Sequence, residues 1–173
     1  MLKAKAHREE RGRAMKRWWE RFGRAGFLHD GEIGLVLAEA VSPCRKKGTV
    51  LTYRYLIVRL SDGEAVGRCD LRVGENAALY IAGHIGYRID EPYRGHRYAE
   101  KACRLLLGLA RKKRMKTVVI TCRPDNAASR RTCERLGGRL EAVVPVPPDH
   151  DLYLQGDREE CRYRIELSAP RRR

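Results

Sequence analysis

The feature that most constrains the fold is a change of hydrophobic period near residue 90. Residues 79–89, LYIAGHIGYRI, alternate as in a strand, and Gly83 and Gly86 within them indicate a bulge or a close backbone approach. Beyond the turn signals Pro92 and Gly95, apolar side chains recur at helical spacing at Tyr98, Ala102, Leu105, Leu106 and Leu109. A strand followed so closely by an amphipathic helix predicts a layered α/β domain.

Strand signals lie on both sides of this junction. Seven segments bounded by turn residues are predicted strands: residues 32–40, 50–60, 64–73, 79–89, 116–121, 139–146 and 160–167. A second helix is predicted between Asn126 and Gly137. This order predicts a mixed, mostly antiparallel sheet flanked by helices, of the α/β or α+β class, with one parallel step between the fourth and fifth strands.

Positive charge is concentrated at the start of the first of these helices. Arg94, His96 and Arg97 lie where a helix has unpaired N–H groups and normally favours acidic side chains. A bound anion would account for them. Ligands of open α/β sheets bind at the carboxyl ends of strands beside a helix N-terminus, and this loop lies at such a point. The pattern therefore predicts an anion site here.

The net charge of +15 is spread unevenly over the 173 residues. Residues 1–29 are predicted to form a basic amphipathic helix, residues 30–168 a single globular domain, and residues 169–173 a basic tail. Trp18 and Trp19 lie on the apolar face of the N-terminal helix, which favours packing on the domain or in a homodimer over a basic arm for nucleic acid. The charge itself suits nucleic acid, an acidic substrate or a phosphate-bearing cofactor.

Cysteine and hydropathy patterns argue against several classes of protein. The six cysteines are scattered, without CxxC pairs or clustered histidines, so we expect reduced cysteines used as small apolar residues and no metal site. No apolar run is long enough to span a membrane, and the N-terminus is too charged for a signal peptide. We expect a soluble cytoplasmic protein without a membrane partner.

Two segments, HIGYRIDEPYRGHRYAEKACRLLL and PDNAASRRTCERLGG, together resemble the cofactor-binding region of the GNAT acetyltransferase superfamily. Residues 94–99 occupy the positions of its Arg/Gln-x-x-Gly-x-Gly/Ala loop, and Asn126, Ser129 and Gly137 match its second helix. The resemblance covers roughly residues 30–167. It implies a GNAT-like fold with the cofactor site between the fourth and fifth strands.

The resemblance also implies that the anion is acetyl-coenzyme A (acetyl-CoA), the acetyl donor of that superfamily. Loop amides at the positive end of the helix would bind its pyrophosphate, and the exposed backbone of the fourth strand would pair with its pantetheine arm. Asn126 would hydrogen-bond that arm and could also cap its own helix. The implied cofactor-binding residues are Tyr87, Arg88, Ile89, Arg94, Gly95, His96, Arg97, Tyr98, Ala99 and Asn126.

Two positions depart from the superfamily pattern. Arg97 stands where the loop has its middle glycine, so its side chain would either bind the phosphates or crowd them. We expect cofactor binding to be weakened by Arg97 but not lost. Cys133 stands where many members have a tyrosine as general acid, and a branch resembling ribosomal-protein N-terminal acetyltransferases also lacks that tyrosine. We interpret Cys133 as a packed helix residue.

The implied reaction is transfer of an acetyl group from a thioester to a primary amine by direct attack. A base that titrates near neutrality would remove the proton of the amine. His84 is the candidate general base, since it lies where related acetyltransferases often have a glutamate. It could nearly as well be a strand histidine that is merely held by hydrogen bonds. Asp70, or a base acting through water, is the alternative.

These residues predict an acetyl-CoA-dependent N-acetyltransferase whose acceptor is a small-molecule or peptide amine. One alternative is a catalytically weak acyl-CoA-binding module, which Arg97 and the missing tyrosine would favour. Another is a basic nucleic-acid-binding protein that acts through its N-terminal helix and tail.

Overall fold

The computed structural model describes residues 27–44 and 48–167. The predicted N-terminal helix with Trp18 and Trp19, and the predicted basic tail, lie outside the described residues. The homodimer and nucleic-acid hypotheses that rest on those segments stay predictions. Within the described ranges, no helix is long and apolar enough to span a membrane.

Five strands form an antiparallel sheet in chain order. They are β1 (Phe27–His29), β2 (Ile33–Val41), β3 (Leu51–Arg59), β4 (Ala65–Val73) and β5 (Ile85–Ile89). Gly63, with φ +81°, turns β3 into β4, and its N–H donates to the Arg59 carbonyl oxygen over 2.8 Å. The predicted antiparallel meander is confirmed, and β1 adds an edge strand to it.

The prediction of one strand over residues 79–89 is wrong in its first half. Ala77–Ala82 form a short helix, α1, and β5 begins only at Ile85. Asn76 caps this helix, because its Oδ1 accepts from the Leu79 N–H over 2.8 Å. The two buried side chains of this helix, Leu79 and Ile81, are two residues apart, which is also the spacing of buried side chains in a strand. A helix of only six residues is too short for the sequence to show helical spacing instead.

Three further strands form a second antiparallel sheet in the order β6-β8-β7. They are β6 (Thr117–Cys122), β7 (Arg139–Pro145) and β8 (Glu159–Glu166). The helices α2 (Tyr98–Lys112) and α3 (Ala127–Arg135) follow β5 and β6 as predicted. A single-turn helix, α4 (Asp151–Leu154), lies in the connection between β7 and β8.

The two sheets meet at Gly83. A Cβ on this residue, which has φ +68°, would lie 2.8 Å from the Val119 carbonyl oxygen, so the predicted close approach is confirmed here. The adjacent His84 N–H donates to the same oxygen over 2.7 Å. Among the described strands this contact does not continue into the expected parallel ladder, and β5 and β6 therefore belong to separate sheets. The expected parallel pairing of β5 with β6 is thus limited to the contact at Gly83 and His84. Beyond this contact, the edge of β5 that faces β6 is unpaired among the described strands.

Helix α2 closes the main core against the first sheet. Its buried side chains are Tyr98, Ala102, Cys103, Leu106, Leu107 and Ala110. Helix α3 adds Cys133 to the same core. Five of the six cysteines are buried, which confirms their interpretation as small apolar residues, and Cys44 is partly exposed.

Candidate cofactor and active site

A groove of about 750 Å³ lies between β5, the loop before α2 and the first turns of α3. Nine of the ten predicted cofactor-binding residues line it: Tyr87, Arg88, Ile89, Arg94, Gly95, Arg97, Tyr98, Ala99 and Asn126. The tenth, His96, stacks its ring on that of Tyr98, with the centroids 5.4 Å apart. The structure thus brings the two sequence motifs together at one site.

The first turn of α2 has no side-chain cap. Arg97 occupies the N-cap position without making a capping hydrogen bond. The N–H groups from Tyr98 to Glu100 consequently have no hydrogen-bond acceptor in the part of the chain that the structure describes. Gly95, with φ +88°, turns the loop so that this helix start borders the groove. Unpaired amides at a helix N-terminus favour an anion, as the sequence predicts.

Arg97, which stands where the loop pattern has a glycine, adopts a backbone conformation that favours glycine. Its φ of 58° and ψ of 23° are left-handed, which costs a non-glycine residue about 1–2 kcal/mol. The left-handed backbone at this position explains why the loop pattern has a glycine there, since glycine adopts this conformation without a steric cost. The Arg97 side chain is exposed beside the groove.

Two arginines of α3 that the sequence analysis missed also line the groove. Arg131 and Arg135 are four residues apart, so they share one face of the helix, and this spacing is the signal that could have identified them. They oppose the two arginines of the loop before α2. Glu100 is the one acidic residue among those that line the groove, and Arg104 pairs with it at 2.9 Å. The groove is strongly basic.

Asn126 and Tyr87 connect the two sides of the groove through Ser129. Asn126 Oδ1 accepts from the Ser129 N–H over 3.1 Å, so this residue caps α3 while it lines the groove, as predicted. The Tyr87 hydroxyl and Ser129 Oγ form a hydrogen bond of 2.6 Å between β5 and α3. Burial raises the pKa of the Tyr87 hydroxyl, so it stays protonated. These contacts join the strand and the helix on either side of the groove.

Comparison with known proteins identifies the family. The profile of the acetyltransferase (GNAT) domain matches residues 5–139, more than half of the chain. The chain belongs to the GNAT acetyltransferase family. No curated protein sequence matches it significantly.

Solved GNAT structures share this fold at low identity. A GNAT-family acetyltransferase from Bacillus anthracis is 20% identical, with 66% of each chain covered and a TM-score of 0.54. RimL, a ribosomal L7/L12 α-N-protein acetyltransferase in complex with coenzyme A, is 18% identical over 83% of this chain and 99% of its own, with a TM-score of 0.61. The microcin self-immunity acetyltransferase MccE, in complex with acetyl-CoA and AMP, is 20% identical over 66% of this chain and 61% of its own, with a TM-score of 0.53.

These matches confirm the fold predicted from the sequence. GNAT enzymes use acetyl-CoA as the acetyl donor, which confirms the predicted cofactor. The chain spans just under two thirds of the length of the Bacillus anthracis protein and about three fifths of that of MccE.

His84 lies at the junction of the two sheets and does not line the GNAT cofactor groove. It is 3% exposed and lines a separate cavity of about 290 Å³. Its Nδ1 accepts from the Val119 N–H over 3.0 Å, and its Nε2 lies 3.2 Å from Glu75 Oε1. The neutral ring therefore carries its proton on Nε2, and its one lone pair is already engaged. The general-base role stays a prediction, and it would require the bond to Val119 to break.

Two carboxyl groups with raised pKa values are the other candidate bases. Asp70 packs against Gly86 of β5, pairs with Arg72 at 2.9 Å, and has its pKa raised by burial. Glu160 on β8 is 3% exposed, and burial, with the negative charge of Asp157 as a smaller cause, raises its pKa to about 7. A carboxyl group that titrates near neutrality has the basicity that a general base needs, but neither Asp70 nor Glu160 is among the residues that line the groove. No local signal marks Glu160, because its burial follows from tertiary packing.

Cys133 is fully buried on α3 and does not line the groove. A hydrogen bond from Cys133 to Cys122, together with burial, raises the pKa of the Cys133 thiol well above its usual range. Its interpretation as a packed helix residue is confirmed. It is poorly placed to act as the acid for which many GNAT proteins use tyrosine.

Proposed function

We propose that the protein is an acetyl-CoA-dependent N-acetyltransferase whose acceptor is a primary amine. The observation that carries this proposal is the uncapped start of α2 beside a basic groove that borders the unpaired edge of β5. An anion-binding helix start and an open strand edge are the two features that a long, phosphate-bearing thioester requires. Membership of the GNAT family supports the reaction class.

Three parts of the groove would hold the donor. The loop amides from Gly95 to Ala99 would donate to its pyrophosphate, with Arg94 and Arg97 as charge partners. The backbone of residues 87–89 would pair with its pantetheine arm, and Asn126 would donate from Nδ2. When bound, the donor supplies an activated acetyl group.

The reaction needs one acyl transfer and two proton movements. The amine nitrogen forms a bond to the acetyl carbon while the carbon–sulfur bond breaks. A base takes the proton that the amine releases, and the departing thiolate takes up a proton from solvent. Only a neutral amine attacks, so an α-amine with a pKa of about 8 needs less help than a lysine amine with a pKa of about 10.4. RimL is an α-N-protein acetyltransferase, which supports the N-terminal amine of a peptide as a candidate acceptor, in addition to small-molecule amines.

Variants of His84 distinguish a base from a positioning residue. If His84 is the base, His84→Ala and His84→Asn should both lower kcat by about 10²-fold or more. If His84 only holds Val119, the asparagine oxygen can accept that N–H, and His84→Asn should keep most of the activity while His84→Ala loses it. Near-normal rates in both variants would contradict either role.

Asp70→Asn and Glu160→Gln test the two carboxyl groups in the same assay. The variant of the true base should lose about 10²-fold or more in kcat, together with the acidic limb of the pH–rate profile. A variant that keeps this limb excludes its residue as the base.

Release of free thiol from acetyl-CoA across a panel of amines tests the function itself. We expect amine-dependent release, and a higher melting temperature (Tm) with coenzyme A because the ligand binds only the folded chain. Stabilisation by coenzyme A without turnover of any amine would instead favour a weak acyl-CoA-binding module. No stabilisation would contradict both functions.

A further inference from the structure

The face of the first sheet that points away from α2 carries two arginines on neighbouring strands. Arg68 on β4 and Arg88 on β5 lie directly opposite each other in the strand register, and both are exposed. Their chain neighbours Cys69 and Tyr87 pack in the core that α2 closes. Because side chains alternate along a strand, the two arginines lie on the outer face.

Neither arginine of this pair has an acidic partner within the described ranges. The other arginines of the same face differ: Arg54 pairs with Glu39 at 2.6 Å, and Arg72 pairs with Asp70 at 2.9 Å. Like charges on directly opposed residues of antiparallel strands are destabilising. The arginine pair therefore has a cost in the free protein that a bound anion would remove.

The arginine pair lies beside the proposed donor site. Arg88 lines the cofactor groove with its neighbours on β5. The helices α2 and α3 pack on the inner side of the sheets, where they contribute to one core. An acceptor amine that reaches the thioester from the face of β5 opposite these helices would therefore pass Arg68 and Arg88.

We propose that the acceptor amine also carries an oxyanion, a carboxylate or a phosphate, and that Arg68 and Arg88 bind it. This inference rests on the proposed N-acetyltransferase function and adds the class of acceptor. Guanidinium groups bind carboxylates and phosphates through charge-assisted hydrogen bonds of well-matched geometry. The same two charges disfavour polyamines and other polycations as acceptors.

Matched amines that differ in one oxyanion test the proposal. The two pairs are O-phosphoethanolamine with ethanolamine, and 4-aminobutyrate with 4-aminobutanol. The wild type should have a kcat/KM about tenfold or more higher for the anionic member, and this preference should shrink at high salt. A preference confined to one pair identifies the oxyanion as phosphate or as carboxylate.

Charge reversal at Arg68 supplies the matched variant. Arg68→Glu should reduce the preference by about tenfold or more, because repulsion replaces attraction. Arg111 is an exposed arginine of α2 that lies away from this face. Arg111→Glu makes the same change of charge and should leave the preference for the anionic amine unchanged. An equal loss in both variants would show an effect of net charge and overturn the proposal.

Calorimetry on the protein saturated with coenzyme A makes the test independent of turnover. At least one anionic amine should bind the wild type more tightly than its neutral partner, and Arg68→Glu should abolish the difference. No binding of either anionic amine, or a difference that survives Arg68→Glu, would overturn the proposal. Equal affinity of Arg68→Glu and the wild type for coenzyme A would show that the variant is folded. Failure of the wild type to bind coenzyme A would overturn the N-acetyltransferase function rather than the acceptor proposal.

Discussion

Replacing Arg97 with glycine should raise the stability of the free protein. Arg97 has φ 58° and ψ 23°, a conformation that costs a non-glycine residue about 1–2 kcal/mol. Glycine removes this cost but makes the unfolded chain more flexible, which offsets about 0.4–1 kcal/mol. From the middle of each range, the net gain in the free energy of unfolding is about 0.8 kcal/mol, or about 2–3 °C in Tm for a domain of this size.

The same substitution should lower the affinity for coenzyme A. This reverses the expectation from the sequence that Arg97 weakens cofactor binding, because the Arg97 side chain is exposed at the groove and can turn towards a bound phosphate. Arg97→Gly removes an exposed guanidinium group from the groove. Exposed ion pairs contribute about 0.2–1 kcal/mol and hydrogen bonds to charged groups about 1.5–3 kcal/mol. An exposed guanidinium group on a phosphate lies between these cases, at about 0.7–1.8 kcal/mol, so coenzyme A should bind about three- to twentyfold more weakly. Calorimetric titration at low and high salt measures the Kd, and the difference between variant and wild type should narrow at high salt.

Arg97→Ala separates the two effects. It removes the guanidinium group but keeps a Cβ in the left-handed conformation, so it should bind coenzyme A as weakly as Arg97→Gly without the gain in Tm. Tighter coenzyme A binding by Arg97→Gly than by the wild type would refute the reasoning, because it would show that the side chain crowds the phosphates. Equal Tm values for the glycine and alanine variants would refute the backbone strain.

Two further predictions concern stability. Gly83→Ala should destabilise the protein by about 2 kcal/mol or more, because φ +68° and the 2.8 Å approach to the Val119 carbonyl oxygen both oppose a Cβ. Gly108 lies within α2 with no atom near the position of a Cβ, so Gly108→Ala should instead stabilise the protein by about 0.5–1 kcal/mol. Equal changes in the free energy of unfolding for the two variants, measured by chemical denaturation, would contradict the close approach of Gly83 to β6. Burial raises the folded-state pKa of Glu160 to about 7, above its unfolded value of about 4.3. The contribution of Glu160 to stability is therefore greatest below about pH 4 and is lost as the pH rises through about 7, by at most about 4 kcal/mol. Glu160→Gln should remove this dependence and be more stable than the wild type at pH 8, and identical pH profiles would contradict the burial of the carboxyl group.

The cofactor groove could be predicted from the sequence because its determinants are local. The turn at Gly95, the basic residues and the helix that follows are contiguous, so their relative placement depends on backbone geometry over a few residues. Asn126 has the same property, since its position at a helix start sets both its capping role and its place in the groove. The reason for the glycine of the loop pattern became clear only from the left-handed φ of Arg97.

The parts that could not be predicted depend on tertiary packing. The alternation around Leu79 suits a strand, and only the Asn76 cap and the position of Gly83 against β6 select a helix there. The hydrogen-bond partners of His84 are the Glu75 carboxylate and the Val119 N–H. Val119 lies 35 residues further along the chain than His84. Local sequence therefore could not show that the lone pair of this histidine is engaged.

Titration of the protein with acetyl-CoA by calorimetry tests the central claim most directly. If the start of α2 binds the pyrophosphate, one molecule should bind per chain, with an affinity that falls as salt rises and with competition by coenzyme A. The absence of binding, or binding that neither salt nor Arg97→Gly affects, would contradict a donor site at this helix N-terminus.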